Sequence, residues 1–267
     1  MPKTMIRLAM LALLTGVPFG AAGAAELKAV IAVALRPAIQ ELVPAFEKQS
    51  GHKVSIEYAT AGKVAEKVTG EDPIDVAIVT KPFFDKLAKS AKMVDGSRTQ
   101  LAQQLIGAAV KKGAPKPDIA TLAGFKKAVA GAKSIAFSDP ADGGAASIFL
   151  MEAFDKLGIA AEVKPKLKLV KATTGQAGSA VVEAVQRGEA EIALQPLSLL
   201  MEAQGIDIIG PLPPELQSPD LVFVGGTPWT VEKPIEAKAF LDFLAGAPAK
   251  EVYKAKGLEP IKPAPAG

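Results

Sequence analysis

Residues 28–58 read KAVIAVALRPAIQELVPAFEKQSGHKVSIEY, and this stretch decides the fold. Lys28–Val33 is a short β-branched run that reads as a buried strand. Arg36-Pro37 then opens a helix, with proline in the first turn, where its missing N–H costs nothing. Ile39, Leu42, Val43 and Phe46 recur at helical spacing on one face, and Gly51 stops the helix. Lys53–Tyr58 alternates as a second strand, with Val54, Ile56 and Tyr58 on one side. Strand, helix and strand in this order predict a parallel βαβ unit and an α/β fold.

The same alternation continues outward. A helix is predicted over 62–69, a buried strand over 75–79 and a helix over 82–91. Leu105–Val110 is an apolar strand. A middle block follows, with strands at 134–137, 166–170, 191–194 and 206–209 and helices at 121–129, 145–157, 178–187 and 197–203. A strand at 221–225, helices at 235–245 and 248–256, and a proline-rich tail close the chain. The first block lacks a matching end, which the C-terminal third supplies. Two lobes are therefore expected: residues 26–108 with 210–267 as lobe one, and 109–209 as lobe two, with crossings near 105–112 and 206–212. A cleft between two α/β lobes is where a ligand would sit.

Residues 1–25 read as an export signal: Lys3 and Arg7, the apolar run Leu8–Leu14, then Ala22-Gly23-Ala24 as a small-x-small cleavage site. The apolar stretch, broken by Thr15, Gly16 and Pro18, falls short of the roughly 18–20 residues of a membrane span. Removing it leaves 29 basic residues against 28 acidic ones. The 267 residues carry 49% apolar and 22% charged side chains, a globular balance that excludes disorder, collagen and coiled coil. The net charge of +3 is too small to imply a nucleic-acid partner. With no Cys and one His, thiolate sites and disulfides are excluded and a His-based triad is disfavoured.

A family resemblance rests on the order and spacing of several marks. They are Ala32–Ala38 at the first strand–helix turn, Ala45–Val54 between helix and second strand, and Ala59-Thr60-Ala61-Gly62 at a helix start. Pro73–Ile78, Ser138-Asp139-Pro140, Arg187–Ala193 and the segments 240–244 and 256–260 complete the set. The chain resembles periplasmic solute-binding proteins of ABC importers, in particular the molybdate-binding-like group with the two-lobe type II periplasmic binding fold. The resemblance implies a periplasmic monomer that captures a small solute for an inner-membrane ABC permease. It also implies that strand-to-helix turns from both lobes line the cleft, where helix N-termini favour an anion.

Three turns then carry the candidate site. They are Ala34, Leu35 and Arg36; Thr60 and Ala61; and Gly143, Gly144, Ala145, Ala146 and Ser147. Thr80, Lys81, Ser138 and Gln195, at strand ends, join them. Ala34 stands where the molybdate pattern has serine, Thr60 keeps a hydroxyl in the second turn, and Ala193-Leu194-Gln195-Pro196 replaces a tyrosine-containing stretch. Arg36 is suited to bidentate carboxylate binding. The expected ligand is therefore an organic di- or tricarboxylate, with a molybdate- or tungstate-type tetrahedral oxyanion as the alternative. A periplasmic sensor role is a further alternative. No enzyme, cofactor or metal is expected. His52 reads as a surface turn, Trp229 as packing near the hinge and Ser179 as a helix cap. Asp139 and Asp142 lack the spacing of a Ca²⁺ loop, and no Gly-Lys-Ser/Thr follows Gly143-Gly144 to make a phosphate loop.

Overall fold

The computed structural model describes residues 24–171 and 179–261. The predicted export signal therefore lies almost wholly outside the described residues, as do the start proposed for the helix at 178 and the end of the tail.

The strands are β1 (Glu26–Ala32), β2 (Lys53–Ala59), β3 (Val76–Thr80), β4 (Thr99–Gln104), β5 (Ile106–Lys111), β6 (Ile135–Ser138), β7 (Leu167–Val170), β8 (Ile192–Pro196), β9 (Ile206–Pro211), β10 (Val222–Gly226) and β11 (Leu258–Pro260). The helices are α1 (Arg36–Ser50), α2 (Ala61–Thr69), α3 (Lys81–Lys89), α4 (Leu122–Gly131), α5 (Ala145–Lys156), α6 (Ala160–Val163), α7 (Ser179–Gln186), α8 (Leu197–Glu202), α9 (Pro234–Ala245) and α10 (Ala247–Ala255). They build two mixed sheets. Lobe one has the order β11-β4-β10-β3-β1-β2 and lobe two the order β7-β6-β8-β5-β9. In lobe one β1 runs parallel to β2 and β3, while β10 is antiparallel to β3 and β4.

The helices cover both faces of each sheet. In lobe one, Phe46 of α1 packs 4.8 Å from Phe240 and 5.5 Å from Phe243 of α9, measured between ring centroids. Tyr253 is fully buried there and satisfies its hydroxyl by donating to the Leu244 carbonyl at 2.8 Å. In lobe two, Phe154 of α5 packs against Phe125 and Phe137 at 6.3 and 6.4 Å. Each sheet thus has its own apolar core.

The first crossing is shorter than expected, and the second is longer and lies further along the chain. The first is Leu105 alone, between β4 and β5, and the second runs from Leu212 to Leu221. Lobe two therefore begins with β5, three residues before the expected boundary. Strand β4 escaped the sequence reading because Thr99-Gln100-Leu101-Ala102-Gln103-Gln104 is polar on its face. It belongs to the sheet because β10 and β11 flank it on both sides. Strand β11, expected within the tail region, is its edge partner. The two crossings are cross-linked by Gln217, whose Oε1 accepts from Ile106 N–H at 2.9 Å. Its Nε2 donates to the Ile106 and Leu212 carbonyls at 2.8 and 3.0 Å.

The lobes meet at the mouth of the cleft. Gly62 N–H at the start of α2 donates to the Gly143 carbonyl at 2.9 Å, and Thr60 Oγ1 donates to the Asp142 carbonyl. A Cβ on Gly62 would stand 2.8 Å from Gly143 Cα, and one on Gly143 would stand 2.7 Å from Gly62 Cα. At Gly143 the backbone also has φ +74°, which favours glycine. On the hinge side, α8 bridges the lobes: Leu200 is buried in a core of lobe two, while Leu199 enters the lobe-one core and Ser198 Oγ donates to the Ala34 carbonyl at 2.7 Å.

Two outcomes follow from these contacts. Gln217→Ala strips partners from a fully buried amide at Ile106, and urea unfolding is expected to show a loss of about 1–3 kcal/mol with little change in slope. Gly62→Ala places a methyl where the opposing backbone stands, so small-angle scattering should show a larger radius of gyration than the parent. An unchanged profile would mean that close glycine contact is not what permits closure.

Candidate functional site

The cavity between the lobes collects the carboxyl ends of strands from both sheets. Strand β1 ends at Ala32 and turns through Val33–Leu35 into α1. Strand β2 ends at Ala59, and Thr60 caps α2 by accepting from Lys63 N–H at 3.4 Å. In lobe two, β6 ends at Ser138 and a tight turn leads to Gly144, the cap residue of α5. The starts of α2 and α5 and the turn that leads into α1 thus approach one space of about 60 Å³, room for about four to six water-sized groups. Positive helix-dipole ends gather there, the local electrostatics that favour an anion.

Of the residues expected from sequence, Ala34, Thr60, Ala61, Thr80, Ser138, Gly144, Ala145, Ala146 and Ser147 line this cavity. Ser147 is buried and its Oγ donates to the Gly144 carbonyl at 2.9 Å, so the turn before α5 is held from within.

Five expected residues lie elsewhere. Leu35 is fully buried in the core of lobe one. Arg36 does not line the cavity; its guanidinium pairs with Glu202 of α8 at 2.9 Å. A cation at a helix start needs a compensating anion, and here the compensation comes from that carboxylate. Lys81 also turns aside, toward Asp85 at 3.0 Å and Asp220 at 3.4 Å. The hydrogen bond it donates to Asp85, and then that to Asp220, raises its ammonium pKa. Gly143 forms the interlobe contact at the rim. Gln195 is buried on the same face of β8 as Ala193, and Pro196 takes the cavity position beside it.

Other lining residues were missed as ligand candidates. Phe223 of β10 and Leu199 of α8 supply apolar walls. Asp139 and Asp142 are the ionisable residues that line the cavity among the described residues. Asp139 spends one oxygen on the Ala141 N–H at 2.9 Å, capping the turn. Gln104, the last residue of β4, lies on the cavity wall. Thr80 Oγ1 and Gln104 Nε2 are buried and have no hydrogen-bond partner among the described residues. A glutamine ending an unrecognised polar strand gave no sequence signal. Among the described residues no cluster of three or more His, Cys, Asp or Glu could hold a metal ion.

His52 lies in the turn after α1, where its Nδ1 accepts from Ala25 N–H at 3.2 Å. Trp229 is 46% exposed on lobe one, with Lys92 Nζ 4.2 Å from its ring centroid and its Nε1 donating to the Val68 carbonyl. Ser179 begins α7, and its side chain lies outside the described residues.

Comparison with known proteins sharpens and corrects this picture. A Pseudomonas sp. protein named aconitate isomerase is 33% identical over 232 residues, covering 85% of this chain and 85% of its own. The molybdate-binding protein ModA of Escherichia coli K12 is 26% identical over 236 residues, covering 85% of this chain and 86% of its own. Among solved structures, the periplasmic molybdate-binding protein of Azotobacter vinelandii superposes with a TM-score of 0.71 at 22% identity. That superposition covers 89% of this chain and 100% of the other, which establishes the two-lobe α/β binding-protein fold. The first relative overturns the expectation of a protein without enzymatic activity, because an enzyme name attaches to a chain of this length and likeness. Residues 27–259 match the description "bacterial extracellular solute-binding protein", and the chain belongs to that family of periplasmic ABC-transporter binding proteins.

Proposed function

We propose that the protein, exported to the periplasm, closes its two lobes over a small organic tricarboxylate and isomerises it by moving a carbon–carbon double bond. The observation that carries this reading is the placement of Asp139 and Asp142 on a cavity otherwise walled by neutral donors, apolar side chains and helix starts. The likeness to a protein named aconitate isomerase supports the choice of an unsaturated tricarboxylate.

The chemistry asks for little. One carboxylate takes a proton from the saturated carbon beside a substrate carboxylate. The electron pair spreads across the adjoining double bond into the conjugated carboxylate. Return of the proton two carbons away leaves the double bond shifted and the formula unchanged. The starts of α1, α2 and α5 face the charge that builds on the carboxylate, without reorganising. Capture and chemistry share one cleft, and the closed form is also what a monomeric binding protein would present to an ABC permease.

A second reading is favoured by the cavity volume itself, which suits a tetrahedral oxyanion, and by the molybdate-binding relatives. Proton NMR separates the two. Wild-type protein at catalytic concentration should interconvert the cis and trans isomers of aconitate. Asp139→Asn and Asp142→Asn, made singly, should divide the work: one loses at least about 100-fold in turnover while keeping trans-aconitate affinity within about threefold. Wild-type protein that binds molybdate and leaves aconitate unchanged would establish the oxyanion reading instead.

A further inference from the structure

We infer that Gln104, the residue from which the chain first crosses between the lobes, reads the bound anion together with Thr80 and so makes the hinge part of the binding site. This deepens the carboxylate reading and rests on it only for the identity of the anion.

Gln104 ends β4, and Leu105 after it is the whole first crossing. Its backbone N–H donates to the Leu221 carbonyl at 2.8 Å, where the second crossing ends. The two links between the lobes are therefore tied together at this residue. Its side chain goes to the cavity rather than to either crossing. The residue is 2% exposed, and Nε2 finds no hydrogen-bond partner among the described residues. Thr80 is 1% exposed, lines the same cavity, and its Oγ1 is equally without one. The strands that carry them flank β10, on which Phe223 pairs with Thr80 on one side and with Ala102 on the other.

Buried polar atoms without partners are uncommon in folded proteins, and two on one cavity call for an acceptor. A carboxamide offers two N–H donors and a threonine hydroxyl one, all neutral. That set matches the oxygens of a carboxylate or oxyanion seated against the helix starts of both lobes. A ligand held there touches the crossing directly, so its binding favours one hinge angle over others, as a ligand that drives closure must.

The test is calorimetric titration of wild type, Gln104→Met, Thr80→Val and Gln104→Glu, each unfolded and refolded to strip bound solute. The probes are trans-aconitate and molybdate. For whichever anion the wild type binds, Gln104→Met and Thr80→Val should each lose at least about tenfold in affinity while keeping wild-type circular dichroism. Gln104→Glu keeps the shape and adds a charge that repels the anion. Its deficit relative to wild type should shrink between pH 8 and pH 6, as the new carboxyl protonates beside the ligand. That readout stands even if the methionine variant fails to fold. Affinities within twofold of wild type, a glutamate deficit flat with pH, or a wild type that binds neither probe would overturn the inference. Wild-type binding of molybdate without trans-aconitate would instead refute the carboxylate reading, and the variants' molybdate affinities would then decide the role of Gln104.

Discussion

At the mouth of the cleft the backbones of Gly62 and Gly143 approach so closely that a Cβ on either would stand under 3 Å from the other's Cα. The contact carries one hydrogen bond of its own, and the Thr60 hydroxyl adds a second to the neighbouring Asp142 carbonyl. The rest of the site depends on this approach. It brings the start of α5 from lobe two against the start of α2 from lobe one and encloses the space between them. A closed cavity is also what makes the helix starts effective, since dipoles and N–H groups act more strongly where water is excluded. Closure and electrostatics are thus one arrangement, built from two glycines with opposite neighbours in sequence and adjacent places in space.

Among the described residues the cavity walls carry no cationic side chain. The cations nearest in sequence are neutralised from outside: Arg36 by Glu202, and Lys81 by Asp85 and Asp220. The Arg36 pair also joins α1 to α8, so it strengthens the hinge side rather than the ligand. Neutral donors and helix starts suit an anion at a modest desolvation cost.

Much of the fold was legible because the signals were local. The run 28–58 shows strand, helix stop and strand in its periodicity. Thr60, Ser138 and the 144–147 turn were legible as cavity residues because strand-to-helix turns carry caps and glycines that a sequence displays. Arg36 and Gln104 were not, for opposite physical reasons. The arginine's partner, Glu202, lies 166 positions away, and nothing near Arg36 announces it. The glutamine sits on a polar strand whose place in the sheet is set by β10 and β11, both distant in sequence. Asp139 and Asp142 were not legible as cavity residues, because two aspartates in a turn look like turn chemistry until the fold sets them on a cavity.

The most direct measurement is a thermal-shift panel on refolded mature protein. It sets di- and tricarboxylates, with aconitate among them, beside molybdate, tungstate, sulfate and phosphate. An anion present at about 100 times its Kd stabilises the fold by roughly 2.7 kcal/mol, a shift of several degrees. The account predicts that shift with aconitate and none of comparable size with the tetrahedral oxyanions. A shift confined to molybdate and tungstate would contradict it.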